Sequence, residues 1–425
     1  MQTNHRWNRR GFLGTIAAFT AAGLAPGRLL GSARSSAPPP VTPGKLTGLG
    51  QTGNVYEELG VTTIINGEGT MTTLGGSLIR PEVELVMQMA AQHFVSIPEL
   101  EIAAGKRIAE MLKLPQGYAA IVTSGAAAAI QAGYAGILTG DNESLIQQLP
   151  DLAGMKSEVI IQKSHRNPFD HQIRGTGVKL VEIETRDQLR HAIGPGTAAL
   201  HFTNFANAQG QIKVDEWVKL AKEAQLPALI DAAADTPPIS HLWDYANMGY
   251  DLITFSGGKA IRGPQCAGLL LGRQDLVHYA MLNSSPYEDT INRIAKVGKE
   301  EVVGMVKALE LYLAEDQDAL TNEWWRRLDT VSTAVSRVPG ITVERFVPDV
   351  ANHVPHIMIK LDPSRIKATP HEITQQLRKG TPSIVLSTGE RRDANIITMN
   401  SFMLKPGEEK VIAEHLLEAL RHHSA

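Results

Sequence analysis

Between residues 118 and 272, short apolar runs alternate with helical stretches, a pattern that leaves few architectures open. A strand that returns in the same direction after a helix pairs in parallel with its predecessor, and the helix then covers one face of the sheet. The spacing therefore predicts an α/β fold, a mainly parallel sheet with helices on both faces. Ligands bind such sheets beyond the strand ends. Three residues fall at those ends: Ser124, Asp231 and Lys259.

In DLITFSGGKAIRGPQCAGLLLG (251–272) an apolar strand delivers Ser256-Gly257-Gly258-Lys259 into a Gly/Pro-rich turn, and a second apolar strand follows. A lysine beside glycines that admit a ligand to the backbone can form a Schiff base with a carbonyl, the way pyridoxal 5'-phosphate (PLP) is held. The alternative is a surface lysine in a hairpin. In LPALIDAAADTPP a strand over 226–230 ends in Asp231, 28 residues before the lysine. A buried carboxylate there could keep a pyridine nitrogen protonated, cap a turn, or share a metal with Asp235. In AAIVTSGAAAAIQAGYAGIL a strand over 119–122 runs through Thr123, Ser124, Gly125 and Ala126 into an Ala-rich helix whose first amides suit a phosphate. Serine before a helix is ordinary on its own; its order relative to Asp231 and Lys259 gives it meaning.

These segments resemble fold-type I PLP enzymes, and within them the selenocysteine synthase-like (L-seryl-tRNA selenium transferase-like) group that includes D-glucosaminate-6-phosphate ammonia-lyase. INGEGTMTTLGGS, FVSIPELE, VTSGAAAAI, HRNPFDHQIRGTG, LIDAAAD and TFSGGKAIRGPQCAGLLLG resemble that group's signatures in order, from residue 66 through 272. The resemblance implies the PLP-dependent transferase fold shared with class V aminotransferases, Lys259 as the Schiff-base lysine and Asp231 as the ring-nitrogen partner. It also places Ser124, Gly125 and Ala126 near the phosphate with Thr123 and Ser256 beside them, and implies at least a homodimer. His165 in QKSHRNPFDH, after a strand over 158–162, stands where related enzymes stack a residue on the cofactor ring; the alternative is a histidine that holds its loop. His165 and His171 lack a companion set of metal ligands, so no metal site is expected.

The chain departs from the pattern at two points. Ala234 stands where many relatives carry Gln or His near the ring's phenolic oxygen, and Cys266 stands where the turn often has a smaller residue. As the single cysteine it cannot form an intramolecular disulfide, and a small buried hydrophobe is the expected role.

Composition narrows function further. The net charge of −3 offers no basic field for nucleic acid, although the group's best-known activity acts on a charged tRNA. The N-terminus reads as a twin-arginine export signal: Arg9-Arg10, then Phe12-Leu13, an apolar stretch over 11–26 and a small-residue site at 31–33. The stretch is too short for a permanent span. The expected location is periplasmic or otherwise extracytoplasmic, with the export machinery as a partner. A flexible linker over 34–60 leaves no room for a separate tRNA-binding domain.

The expected organisation is a signal (1–33), the linker (34–60), a large PLP-binding α/β domain (61–290), connecting helices (291–338) and a smaller C-terminal α+β domain (339–425). Helical spacing runs over 81–114 and 290–338. Arg391, Arg392 and Arg262 are the candidate cations for a substrate anion, with a solvated turn and a pinned turn as their alternatives. The expected chemistry is β-elimination from an amino acid or amino sugar acid through an aminoacrylate. β-Replacement, transamination and racemisation stay open, as does an exported PLP-binding protein without turnover.

Overall fold

The computed structural model describes residues 48–388 and 395–424. Residues up to Val61 form one unit and Thr62–Ala425 a second. The described part of the first contains a single helical turn, Val55–Glu58, capped by the Asn54 side chain, which accepts from the amides of Tyr56 and Glu57. The signal segment and Arg391 and Arg392 lie outside the described residues.

The second unit contributes twelve described strands: β1 (Ile64–Asn66), β2 (Tyr118–Thr123), β3 (Glu158–Gln162), β4 (Lys179–Ile183), β5 (Thr197–Thr203) and β6 (Ala228–Asp231). There follow β7 (Leu252–Ser256), β8 (Gly268–Arg273), β9 (Ile341–Phe346), β10 (His356–Leu361), β11 (Ser383–Val385) and β12 (Ile396–Asn400). The main sheet has the order β2-β8-β7-β6-β5-β3-β4. Its strands run parallel except β8, which is antiparallel to both neighbours because it returns directly from β7 without a helix.

Both faces are apolar and covered, and alternation along the central strands sends neighbours to opposite cores. Ile230, Ile253 and Leu271 join one core with Ile108, Trp217 and Leu309, from helices 97–112, 214–223 and 299–313. Leu229, Leu252 and Leu270 join the other with Ala129, Ala132 and Ala280, from helices 125–139 and 274–282. A third core lies between the antiparallel sheet β12-β10-β9 and helices 317–335, 370–379 and 408–422, filled by Leu328, Ile357, Ile359, Ile397 and Leu416.

Two expected helical stretches are divided. Residues 81–114 form Pro81–Ala91 and Ile97–Leu112, because Pro98 fits the first turn of a helix but not its interior. Residues 290–338 form Lys299–Leu313 and Gln317–Val335, the second begun by Asp316, whose side chain accepts from the Ala319 amide at 3.0 Å. Sequence periodicity also gave no hint that β1 pairs in parallel with β11. Among the described residues no helix is long and apolar enough to cross a membrane.

Candidate active site

Sheet register brings the sequence motifs to one edge. Gly268, which opens β8, pairs with Thr123 on one side and Ser256 on the other, and Asp231 pairs with Thr254 and Thr203. Thr123, Ser256, Asp231 and the turn that carries Lys259 thus issue from neighbouring strand ends.

Helix Gly125–Thr139 starts directly after β2 with Ser124 at its N-cap, where the serine side chain makes no capping bond. The first amides of a helix have no intrahelical acceptor, which leaves them for an anion. Gly125 sits at φ +80°, a left-handed conformation that glycine tolerates, and Thr123 Oγ1 donates to its carbonyl at 3.0 Å. A Cβ on Gly268 would lie 2.6 Å from the Gly125 carbonyl carbon and 2.8 Å from the Ala126 nitrogen, so only glycine lets β8 pass beneath this helix start.

The lysine turn is closed by Gly257 N–H to Ala267 O (2.9 Å), Gly263 N–H to Gly257 O (2.8 Å) and Arg262 N–H to Lys259 O (2.9 Å). Lys259 is half-buried, and its amine enters no hydrogen bond or ion pair with the described residues. Burial pulls its pKa down, and the charges of Asp231 and Asp235 partly oppose that pull. Asp231 is buried and its Oδ1 accepts from the Ala233 amide at 3.1 Å. Burial raises its pKa against the Ala233 bond, Lys259 and the Thr254 hydroxyl. Ser256 is half-buried and donates its amide to Ala233 O at 3.3 Å, tying the lysine strand to the aspartate turn.

His165 is placed differently from the expected stacked ring. It is fully buried, edge-on to Phe202 with centroids 4.5 Å apart. Nδ1 accepts from the Thr203 amide at 3.3 Å, and Nε2 lies 3.1 Å from the Gln162 amide nitrogen. No face is open to a ligand, and burial lowers its pKa to about 4, so the ring is neutral and holds its loop to β5. Cys266 is exposed rather than buried, since the turn between β7 and β8 points it outward.

Arg262 adopts φ +56° and donates Nε to Leu78 O at 2.7 Å; Arg80 donates Nη1 to Ile261 O at 2.8 Å and pairs with Glu315. Two arginines therefore clamp the lysine turn to residues 78–80, the pinning alternative for Arg262. Ten residues before that segment, Glu68 O accepts from Asn400 Nδ2 at 2.8 Å.

Sequence reasoning missed Asn204, just past β5, which carries no motif. Its Nδ2 donates to Asp235 Oδ2 and to the Tyr245 hydroxyl, both at 2.7 Å, and Tyr245 donates to the same Asp235 oxygen at 2.9 Å. Asp235 is buried, and its pKa is pushed up to about 7, chiefly by burial. Its spacing in DAAAD was the available signal. A buried strand-end carboxylate, an unpaired half-buried lysine and a helix start that glycine alone leaves clear are donors and acceptors that fit PLP.

Residues 99–291 match the family model described as aminotransferase class V. The fold, the site and this match define a PLP-dependent enzyme of fold type I. Within that class the chain resembles the D-glucosaminate-6-phosphate ammonia lyase of Salmonella typhimurium, with 28% identity across 87% of this chain and 99% of the relative. A solved D-glucosaminate-6-phosphate ammonia-lyase superposes with a TM-score of 0.75 at 27% identity, covering 87% of this chain and 99% of that one. A 5'-C-glycyluridine monooxygenase-decarboxylase from Streptomyces sp is 27% identical across 87% of this chain and 92% of its own length. The L-seryl-tRNA(Sec) selenium transferase of Nitratidesulfovibrio vulgaris is 25% identical, but only across 61% of this chain and 57% of the transferase.

Proposed function

We propose that this enzyme catalyses β-elimination from an amino acid or amino sugar acid, releasing a 2-oxo acid and ammonia. The observation that carries this reading is Lys259: a half-buried amine that has no ion-pair partner among the described residues, its pKa lowered by burial, in the turn after β7, the strand that pairs with Asp231's strand. Likeness to an ammonia lyase over almost all of that enzyme's length favours elimination, whereas selenium transferases match over little more than half of theirs.

PLP, when bound, supplies an electron sink for charge that develops at the substrate α-carbon. Asp231 holds a proton at the ring nitrogen. The amides at Ser124, Gly125 and Ala126, with Thr123 and Ser256 beside them, hold the phosphate. Lys259 takes the α-proton, the leaving group departs from the β-carbon with its bonding pair, and water completes release of the amine as ammonia. His165 orders the loop below. Arg391 or Arg392 anchors the substrate carboxylate, and raised KM with little change in kcat on alanine substitution tests that role.

The decisive test pairs a spectrum with a substrate panel. Wild-type protein with PLP should show a visible band that borohydride abolishes and Lys259→Ala lacks. Free hydroxy-amino acids and amino sugar acids are then assayed for 2-oxo acid and ammonia. Absence of the band overturns the cofactor assignment. A band without elimination overturns the reaction, and release of carbon dioxide instead would point to chemistry like that named for the Streptomyces relative.

Export through the twin-arginine route and a homodimeric assembly complete the proposal. Leu85, Met89, Phe94, Val95 and Ile102 are exposed on and beside neighbouring helices, an apolar surface suited to a second subunit. Cell fractionation of wild type against Arg9→Lys/Arg10→Lys, and sedimentation of the purified protein, test the two statements.

A further inference from the structure

Thr123 and Ser124, which lead into the start of helix 125–139, also line a cavity of about 20 Å³, room for one water-sized occupant. Glu101, from helix 97–112, lines it as well, with Ser284 and Asn292 from the segment after helix 274–282. Glu101 and Asn292 are 4% and 2% exposed, and each has a buried oxygen, Oε1 and Oδ1, that meets no donor among the described residues. Their remaining polar atoms are committed. Glu101 Oε2 accepts from the Val122 amide at 3.1 Å. Asn292 Nδ2 donates to Ser284 Oγ at 3.1 Å and to Ala128 O at 3.4 Å, while Ser284 Oγ gives its own hydrogen to Ala280 O at 2.9 Å. The hydroxyl can therefore only accept from Asn292, which fixes the orientation of the amide and leaves Oδ1 as the unused acceptor.

Two acceptors without a donor, and one carboxylate charge, decide what such a cavity suits. Glu101 is the only ionisable side chain that lines it, and it has no ion pair among the described residues. Buried oxygens left bare are costly, and a buried charge left unpaired more so. A water could donate to both oxygens but would leave the charge uncompensated. A divalent ion would need more carboxylates than one, and among the described residues no group of three or more His, Cys, Asp or Glu gathers to hold a metal. We propose that Glu101 Oε1 and Asn292 Oδ1 bind a monovalent alkali cation, of sodium or potassium size, in this cavity. Carboxylate and amide oxygens are the ligands a hard cation takes. Through Glu101 Oε2 and the Val122 amide, the cation steadies the end of β2 that leads into Ser124. A proton competes for the same carboxyl, whose pKa burial lifts to about 7, so the cation stabilises most above that pH.

The test is the thermal midpoint of the purified full-length protein, well above neutral pH, in sodium, potassium or tetramethylammonium chloride at one ionic strength. Tetramethylammonium is too large for the cavity and serves as the salt control. Sodium or potassium should raise the midpoint saturably, by roughly 2 °C at ten times its Kd, and the ion that fits better should act at the lower concentration. Glu101→Gln keeps an oxygen but not the charge and should abolish the difference between salts. If Glu101→Gln does not fold, Asn292→Ala removes the other ligand and should weaken the cation about tenfold or more. Broadening of the sodium-23 resonance by wild type, reversed by potassium, should follow the same pattern. Equal midpoints in the three salts, or a rise that the folded variant keeps in full, overturns the proposal and leaves the cavity to water. Each of these readouts is independent of PLP, so the cofactor reading stands or falls separately, on its visible band.

Discussion

Gly268→Ala reports directly on how the sheet builds the phosphate cradle. The added methyl would meet backbone only, 2.6 Å from the Gly125 carbonyl carbon and 2.8 Å from both Gly125 Cα and the Ala126 nitrogen. Reaching ordinary contact at 3.4 Å requires the helix start to retreat by about 0.8 Å, and no flexible side chain can yield in its place. Overpacking of this kind costs about 1–3 kcal/mol. If the strain falls on the helix start, PLP affinity drops by roughly 5- to 150-fold. Apoprotein is titrated with PLP while the visible band is followed, and thermal midpoints of the apoproteins are recorded in parallel. Gly194→Ala, whose new methyl meets nothing within 4 Å, is the control. A stable Gly268→Ala protein that binds PLP within twofold of wild type would refute the assignment of the cradle to this helix start.

Three further outcomes are expected. His165→Ala should destabilise the fold by about 2–4 kcal/mol in chemical denaturation, through lost packing on Phe202 and unpaired partners, yet bind PLP almost normally below its midpoint; a ring-stacking histidine would show the reverse. Glu101 is buried, with Oε2 accepting from the Val122 amide, and burial lifts its pKa to about 7. The native state therefore binds the extra proton between the ordinary carboxyl range and neutrality, so stability falls as pH rises through that window, and Glu101→Gln should flatten part of the fall in thermal midpoint against pH. Asp235 titrates in the same range and supplies another part. Exposed Cys266 should react with a thiol reagent in native protein, slowly at neutral pH because burial around the sulfur and Glu301 raise its pKa, and Cys266→Ser should change stability by less than about 0.5 kcal/mol.

Local signals in the sequence carried the strands over 118–272 and the residues at their ends, because a buried parallel sheet demands apolar runs and its ligand edge demands the polar residues that interrupt them. Lys259, Asp231 and the start of helix 125–139 were legible for that reason. Asn204 was not, since an asparagine after a strand resembles any turn residue until folding sets it against Asp235 and Tyr245. His165 was misplaced because its position in the chain says nothing of which way the ring turns, and Phe202 and Gln162 settle that from elsewhere. The division at residues 92–96 was signalled by Pro98, but continuous helical spacing on either side concealed it. Pairing of β1 with β11 depends wholly on tertiary structure; three residues have no periodicity to read.

That pairing sets an order of events during synthesis. The wall beside the lysine turn is made by residues near the start of the second unit, and Glu68 is bonded to Asn400, 332 positions later. Until β11 has left the ribosome, β1 has no strand to join, however early the central sheet forms. Nascent chains cut before residue 383 should therefore retain the sheet and lysine turn yet leave β1 without its partner.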